Sequence, residues 1–330
     1  MRRFIFLIAA ALSATLVYAQ DAENVGNGAQ LSIAPRIDLN PFIGFNADSE
    51  FSLSNSSLST VLEGSIGDSF SYSVMNHWLQ ADEPGALYAN SFRSDESTWV
   101  NWANITYAPG DISFTLGKNY MFVNIYEEDP YDFESHWDFN SNFWNSFQIY
   151  QWGGDITWTY AEDASASFQV TSSPFTERPF QDGVLAYTLS TRNEANDFTY
   201  MLSAHLVGFE ANKYLKMFAG GATCPVGDVT LGADFMWRGD DDLHISEITA
   251  VGTADYSPSE KIDLQFKLGY ENTFKEVSLF SPKDYWFGGV AFHYFPTEAL
   301  RLHTVVTYVP SWGRVSINIG ALYNLTINIK

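Results

Sequence analysis

The 330-residue chain contains a single cysteine, Cys224, so it can close no disulfide within itself and build no cysteine-based metal centre. Beyond the N-terminus no stretch approaches eighteen consecutive apolar residues, although 46% of the residues are hydrophobic. That absence excludes a bundle of membrane-crossing helices. Positive charge is scarce as well, with 17 Lys and Arg against 39 Asp and Glu and a net charge of −22 at pH 7. A surface of that sign does not seek nucleic acid or anionic membranes. No serine stands in a Gly-x-Ser-x-Gly setting, and no acidic run has the Asp/Asn-Gly spacing of a known calcium loop. Neither a metal nor any other cofactor is expected.

The first residues are Met1-Arg2-Arg3, an apolar run from Phe4 to Val17, and Val17-Tyr18-Ala19 before Gln20. A charged start, a short apolar middle and a small residue at the end describe a secretory signal peptide, cut after Ala19. Its removal takes Arg2 and Arg3 and no acid, so the net charge moves from −22 to −24. Residues 20–30 then form a short periplasmic segment, and 31–330 the structured body.

That body is organised by alternation, clearest at its end. From Val315 to Lys330 the odd positions are Val, Ile, Ile, Ala, Tyr, Leu, Ile and Ile, and the even ones are polar or Gly except Leu322. Successive strand residues point to opposite faces, so this stretch predicts one greasy face and one polar face. It is also longer than the usual soluble strand and long enough to cross a bilayer at a tilt. The same scheme recurs at 198–206, 229–238, 262–271 and 300–308; it is less clean near 53–64 and 214–223. Tight-turn residues fall at Gly67-Asp68, 109–111, Glu162-Asp163, 194–197, 225–228, 257–260 and 296–298. Between them lie longer, acidic connections at 80–96, 124–152, 175–182, 239–243 and 274–283. Seven short turns with both termini on the same side predict an all-β, transmembrane antiparallel barrel of sixteen strands, with fourteen and eighteen as fallbacks. Short turns then face the periplasm and long loops the outside.

Aromatic residues make up 16% of the chain. Tyr107, Tyr160, Tyr256 and Tyr294 precede short turns, whereas Trp99, Trp237, Trp286 and Trp312 stand near long loops. The pairs Trp99/Tyr107 and Trp286/Tyr294 each share a face and span roughly 20 Å along the membrane normal of a tilted strand, the height of a lipid band between two girdles.

The hairpin Trp102-Ala-Asn-Ile-Thr-Tyr-Ala-Pro-Gly-Asp-Ile-Ser-Phe-Thr-Leu-Gly-Lys118, behind a leader ending Tyr-Ala-Gln, resembles the porin-type outer-membrane barrels of Bacteroidetes, distantly similar to phosphate-selective porins. Two features depart from that family: the last residue is Lys330 rather than an aromatic, and no lumenal ladder of lysines is present. The resemblance implies a third outer loop that folds into the barrel. By position that loop is 124–152.

This loop carries Glu127, Glu128, Asp129, Asp132, Glu134 and Asp138, interleaved with Tyr126, Tyr131, Phe133, Trp137, Phe139, Phe143 and Trp144. Carboxylates at a low-dielectric constriction favour cations, whereas on a solvated loop they do nothing of the kind. The polar strand faces add lumenal charges of both signs: Lys118, Asp234, Arg238, Asp263, Lys267 and Arg301. His136, Glu127-Glu128-Asp129 and Asp240-Asp241-Asp242 are the elements an enzyme would need, and on outer loops they read as solvated residues. The expectation is therefore not an enzyme but an outer-membrane porin for small hydrophilic solutes, cation-preferring, with lipid and lipopolysaccharide around it and a homotrimer as the assembly open to it. A plugged structural or adhesive barrel, an outer-membrane barrel enzyme and a secreted sugar-binding β-protein are the other readings.

Overall fold

The computed structural model describes residues 28–44, 50–52, 56–80, 100–128, 139–146, 149–176, 178–194, 198–239, 245–274 and 282–329. The leader and most of the segment after it, along with Trp99, lie outside these residues.

The described chain is a closed antiparallel barrel. Its sixteen strands are β1 (Ala29–Gly44), β2 (Glu50–Ser52, resumed as Ser57–Ile66), β3 (Phe70–Gln80), β4 (Val100–Tyr107), β5 (Ile112–Tyr120), β6 (Tyr150–Ala161), β7 (Ala164–Ser172) and β8 (Leu185–Asn193). There follow β9 (Thr199–Glu210), β10 (Lys213–Val226), β11 (Val229–Gly239), β12 (Ile245–Ser259), β13 (Ile262–Thr273), β14 (Tyr285–Thr297), β15 (Leu300–Val309) and β16 (Arg314–Tyr323, resumed as Leu325–Ile329). Each strand pairs with its neighbours in sequence. Closure comes from β1, which pairs with β16 through Ile37↔Ala321 and Ala29↔Ile329 and with β2 through Leu31↔Leu62. A sheet closed in this way has no free edge, which a bilayer requires.

Six of the seven expected turns join strands at one rim; of the seventh, 194–197, only Glu194 is among the described residues, and the strands on either side, ending at Asn193 and beginning at Thr199, meet at the same rim. The opposite rim carries eight connections, four of them longer than ten residues, and the one at Ala211-Asn212 is a tight turn with Asn212 at φ 62°, a conformation Asn tolerates. The barrel begins at Ala29 rather than at 31.

Alternation sorts the two faces as expected. Outward stand Leu116 (65% exposed), Leu189, Phe235 and Leu268 (61% exposed), while Ser316, Asn318, Thr249 and Gln265 are buried on the inner side. A belt of exposed Ile, Leu and Phe around a closed sheet is stable only in lipid, so the barrel is multi-pass. Leu268 lies near mid-strand on β13. Leu268→Arg should therefore cost about 2–4 kcal/mol, read from urea unfolding in lipid vesicles; an unchanged midpoint would remove this face from the hydrocarbon.

Two expectations need correction. The final stretch is not one continuous wall strand: β16 breaks at Asn324, whose amide bonds the Ala299 carbonyl at 2.8 Å. Its neighbour β15 begins at Leu300, so residues 325–329 pair only with β1 and are exposed on both faces. Asn324, Thr326 and Asn328 are thus an overhang rather than lumen lining. The girdles are also less segregated than the sequence suggested. Tyr107, Tyr160 and Tyr294 do mark the turn rim, and Trp78, Trp152 and Trp286 the loop rim, but Trp158 (55% exposed) sits beside Tyr160 at the turn rim with ring centroids 5.5 Å apart.

Candidate functional site: a loop folded into the barrel

Beyond Tyr120 the chain leaves the wall and crosses the lumen. Its path is fixed first by backbone bonds to inward side chains. Gln169 on β7 accepts from the Phe122 amide at 3.2 Å and donates to the Tyr120 carbonyl at 2.8 Å. Ser203 on β9 donates to the Val123 carbonyl, and Asn124, at φ 58°, reaches the carbonyls of Thr191 and Leu202.

The wall here is apolar. Ala186, Val207, Leu215, Met217, Ala219 and Met236, on β8 to β11, pack with Met121, Val123, Ile125, Phe143, Trp144 and Ile149 of the loop in one buried cluster. The inner face is therefore not uniformly polar; where the loop lies, it is the second half of a hydrophobic core. This explains the poor alternation around 214–223, since both faces of β10 must be apolar.

Wall carboxylates then clamp the loop. Asp234 on β11 accepts the Tyr126 amide on one oxygen at 2.8 Å and the Glu127 amide on the other at 2.7 Å. Gly221 on β10 leaves the space for it: a Cβ there would stand 2.1 Å from the Asp234 carboxylate and 2.8 Å from the Tyr126 ring. Further along, Ser141 caps the short helix Asn142–Ser146, its hydroxyl accepting the Trp144 amide at 3.0 Å. Glu271 on β13 takes the amides of Asn142 (2.8 Å) and Phe143 (3.2 Å), the Asn142 side chain (2.7 Å) and the Thr249 hydroxyl (3.0 Å).

The cations stand between these acids. Lys267 donates to Asn140 at 3.0 Å, lies 3.9 Å from Glu127 and sits 4.6 Å over the Phe139 ring. Arg238 bonds Glu247 and Thr249 at 3.1 Å and lies 4.7 Å over the Phe143 ring.

Glu127 is thus an anchor, not a charge facing water. Its carboxylate accepts the Ser141 amide at 2.6 Å and the Ser141 hydroxyl at 2.7 Å, and it is buried. Burial pushes its carboxyl up from the ordinary value, against the pull of Lys267 and the Ser141 donors. Glu128 closes the single helical turn Tyr126–Glu128, and the placement of its side chain is not described. Asp129, Asp132, Glu134 and Asp138 lie outside the described residues, as does His136.

Of the six expected lumenal charges, the structure gathers Asp234, Arg238 and Lys267 around the loop. Lys118 is buried at the end of β5, donating to the Val100 carbonyl at 2.5 Å. Asp263 accepts from Ser257 at 2.6 Å near the turn rim, and Arg301 stands half-buried on the inner face of β15. Glu271 stands in the sequence on a polar strand face like the charges above, but its anchoring role was not readable there, and the anchors Thr249 and Gln169 were missed. A second wall network was missed too: Asp38 accepts from Arg36 at 2.7 Å and pairs with His303 at 2.9 Å, over Gly320. The signal for all of them was their place on a polar strand face, which every lumenal residue shares.

No protein-family model matches the chain, and no curated protein matches it by sequence. Solved structures do share its fold. The outer-membrane channel DcaP of Acinetobacter baumannii superposes with a TM-score of 0.64 at 11% identity, over 92% of this chain and 98% of that one. A triple mutant of the Rh. blastica porin gives 0.61 at 12% identity, over 90% and 100%. A loop-deletion mutant of OmpT, an outer membrane protein of Vibrio cholerae, gives 0.60 at 10% identity, over 90% and 99%. The fold is that of the sixteen-stranded outer-membrane porins.

Proposed function

We propose that this protein is an outer-membrane diffusion channel for small hydrophilic solutes and ions, with a preference for cations. One observation carries the reading: the connection between β5 and β6 is folded inside a wide closed barrel and fastened to the far wall by Asp234 and Glu271. A barrel of sixteen strands is wider than its own side chains can fill, so an inward loop sets the aperture. The stretch between these strands, residues 121–149, is then the constriction, since 150–152 belong to the wall. Glu128, Asp129, Asp132, Glu134 and Asp138 supply negative potential near it, and Glu127 holds it in shape. The turn rim faces the periplasm, and the leader cut after Ala19 delivers the chain there. The porin folds of the DcaP channel and the Rh. blastica protein support this reading, as does the apolar belt.

Recording in planar bilayers tests it. Purified protein should give discrete conductance steps, and a potassium chloride gradient should give a reversal potential of cation-selective sign, larger at low salt because screening weakens. Absence of any conductance would favour a barrel plugged by its own loop.

A further inference from the structure

Most described carboxylates inside the barrel have a fixed partner. Asp38 holds Arg36 and His303, Glu247 holds Arg238, Glu194 holds Arg192, and Asp234 and Glu271 hold loop amides. Four are different: Glu63 on β2, Asp155 on β6, Asp255 on β12 and Asp263 on β13. Among the described residues none of these touches a cation. Their hydrogen bonds are to neutral groups, Asp155 with Thr115 and Asn119, Asp255 with Gln265 and Asp263 with Ser257, while Asp255 also feels the charges of Lys267 and Asp263 at longer range.

Three of them have a buried oxygen with no hydrogen-bond partner among the described residues: Glu63 Oε2, Asp155 Oδ2 and Asp255 Oδ1. Asp155 is only 7% exposed. A carboxylate oxygen removed from bulk water without a donor is costly unless water or an ion completes it. All four face inward. Glu63 and Asp155 alternate with the outward Leu62 and Ile156, while Asp255 is registered with buried Gln265 and Asp263 with buried His293.

Their positions form a pattern. Glu63, Asp255 and Asp263 stand near the turn-rim ends of their strands, at Ile66, Ser259 and Ile262, and Asp155 stands in the middle of β6. The loop anchors Glu271 and Arg238 lie instead towards the opposite ends of β13 and β11. Asp255 and Asp263 therefore stand together on the paired strands β12 and β13 near the turn rim, Glu63 stands at the same rim on β2, and Asp155 stands at the level of the loop, registered with the Gln169 that holds it.

We propose that Glu63, Asp155, Asp255 and Asp263 form a track for small monovalent cations, sodium or potassium, from the constriction to the turn rim. The proposal rests on the channel reading and places part of the ion preference on the wall. Monovalent ions fit because no group of three or more acidic, His or Cys side chains converges to hold a metal ion among the described residues. Asp155, and the neighbours Asp255 and Asp263, offer carboxylates beside hydroxyl or amide groups, enough to attract a hydrated ion and weak enough to release it.

The test is the reversal potential in a potassium chloride gradient, for Asp155→Asn and for the quadruple variant Glu63→Gln, Asp155→Asn, Asp255→Asn, Asp263→Asn. Heat-modifiable gel migration first establishes that each barrel is folded. With the loop acids intact, the quadruple variant should lose about threefold in potassium-to-chloride permeability ratio, and Asp155→Asn a smaller part of it. An unchanged ratio in a conducting quadruple variant would overturn the track. Crystals soaked in thallium(I) give a second readout that needs no conductance. An anomalous peak should stand beside Asp155 and vanish in Asp155→Asn; its absence from the unsubstituted protein would also overturn the proposal. A barrel that is silent in bilayers yet binds thallium at these acids would reject the channel reading and leave the cation sites standing.

Discussion

Replacing Asp234 and Glu271 together by alanine should raise the single-channel conductance at least about twofold, because it frees the loop that sets the aperture. The two carboxylates accept four main-chain amides of the loop at 2.7–3.2 Å, two at Asp234 from Tyr126 and Glu127, the others at Glu271 from Asn142 and Phe143. Hydrogen bonds to a charged acceptor are worth about 1.5–3 kcal/mol each, so losing both anchors weakens docking by several kcal/mol. The apolar cluster around Phe143 and Trp144 remains, and with it part of the attachment. The wall itself should survive, since β11 and β13 keep their ladders to both neighbours. Current traces should therefore become larger and noisier while heat-modifiable migration is retained. Unaltered conductance in a folded double variant would mean that the apolar face alone holds the loop, or that the loop does not limit flow.

How much of this could be read beforehand differs between wall and loop. The barrel was legible because a membrane strand repeats one instruction: Leu264, Phe266 and Leu268 outward, Gln265 and Lys267 inward, with a turn at Glu260-Lys261 beneath. A period of two carries that message in sequence alone. It failed where the surroundings changed. At Leu215, Met217 and Ala219 the inner face meets the loop instead of water, and the alternation disappears. At Asn324 the neighbouring strand ends, and the same pattern runs on without a lumen to face.

The inward loop was expected from position and resemblance, but the roles of its charges were not readable. Glu127 and Glu128 are adjacent acids in one run, yet Glu127 is consumed by Ser141 and Lys267. Nothing local to the run reveals this, because the partners lie on a capping serine downstream and on a strand far along the chain. Asp234 and Asp155 present the same problem. Both sit mid-strand on polar faces, and only the fold shows that one clamps amides while the other keeps an oxygen without a partner among the described residues.

The charge pair beneath the loop gives the second large effect. Arg238→Ala should destabilise the barrel by about 3–5 kcal/mol, the cost of breaking a buried ion pair from one side. Arg238 is fully buried, Glu247 nearly so, and they meet at 3.1 Å. The guanidinium also bonds the Thr249 hydroxyl, which donates in turn to Glu271, and it supports the Phe143 ring of the loop helix. Arg238→Met with Glu247→Leu removes both charges and should regain most of the stability, since a buried pair often contributes little over apolar residues of similar volume. The double variant should nonetheless lose loop order, because neither apolar replacement can donate to Thr249 or hold the ring of Phe143 by charge. Urea unfolding in vesicles reads the first effect and open-channel noise the second. Recovery of stability together with raised noise would assign the pair to positioning the loop; a double variant as unstable as Arg238→Ala would instead make the ion pair itself a main support of the wall.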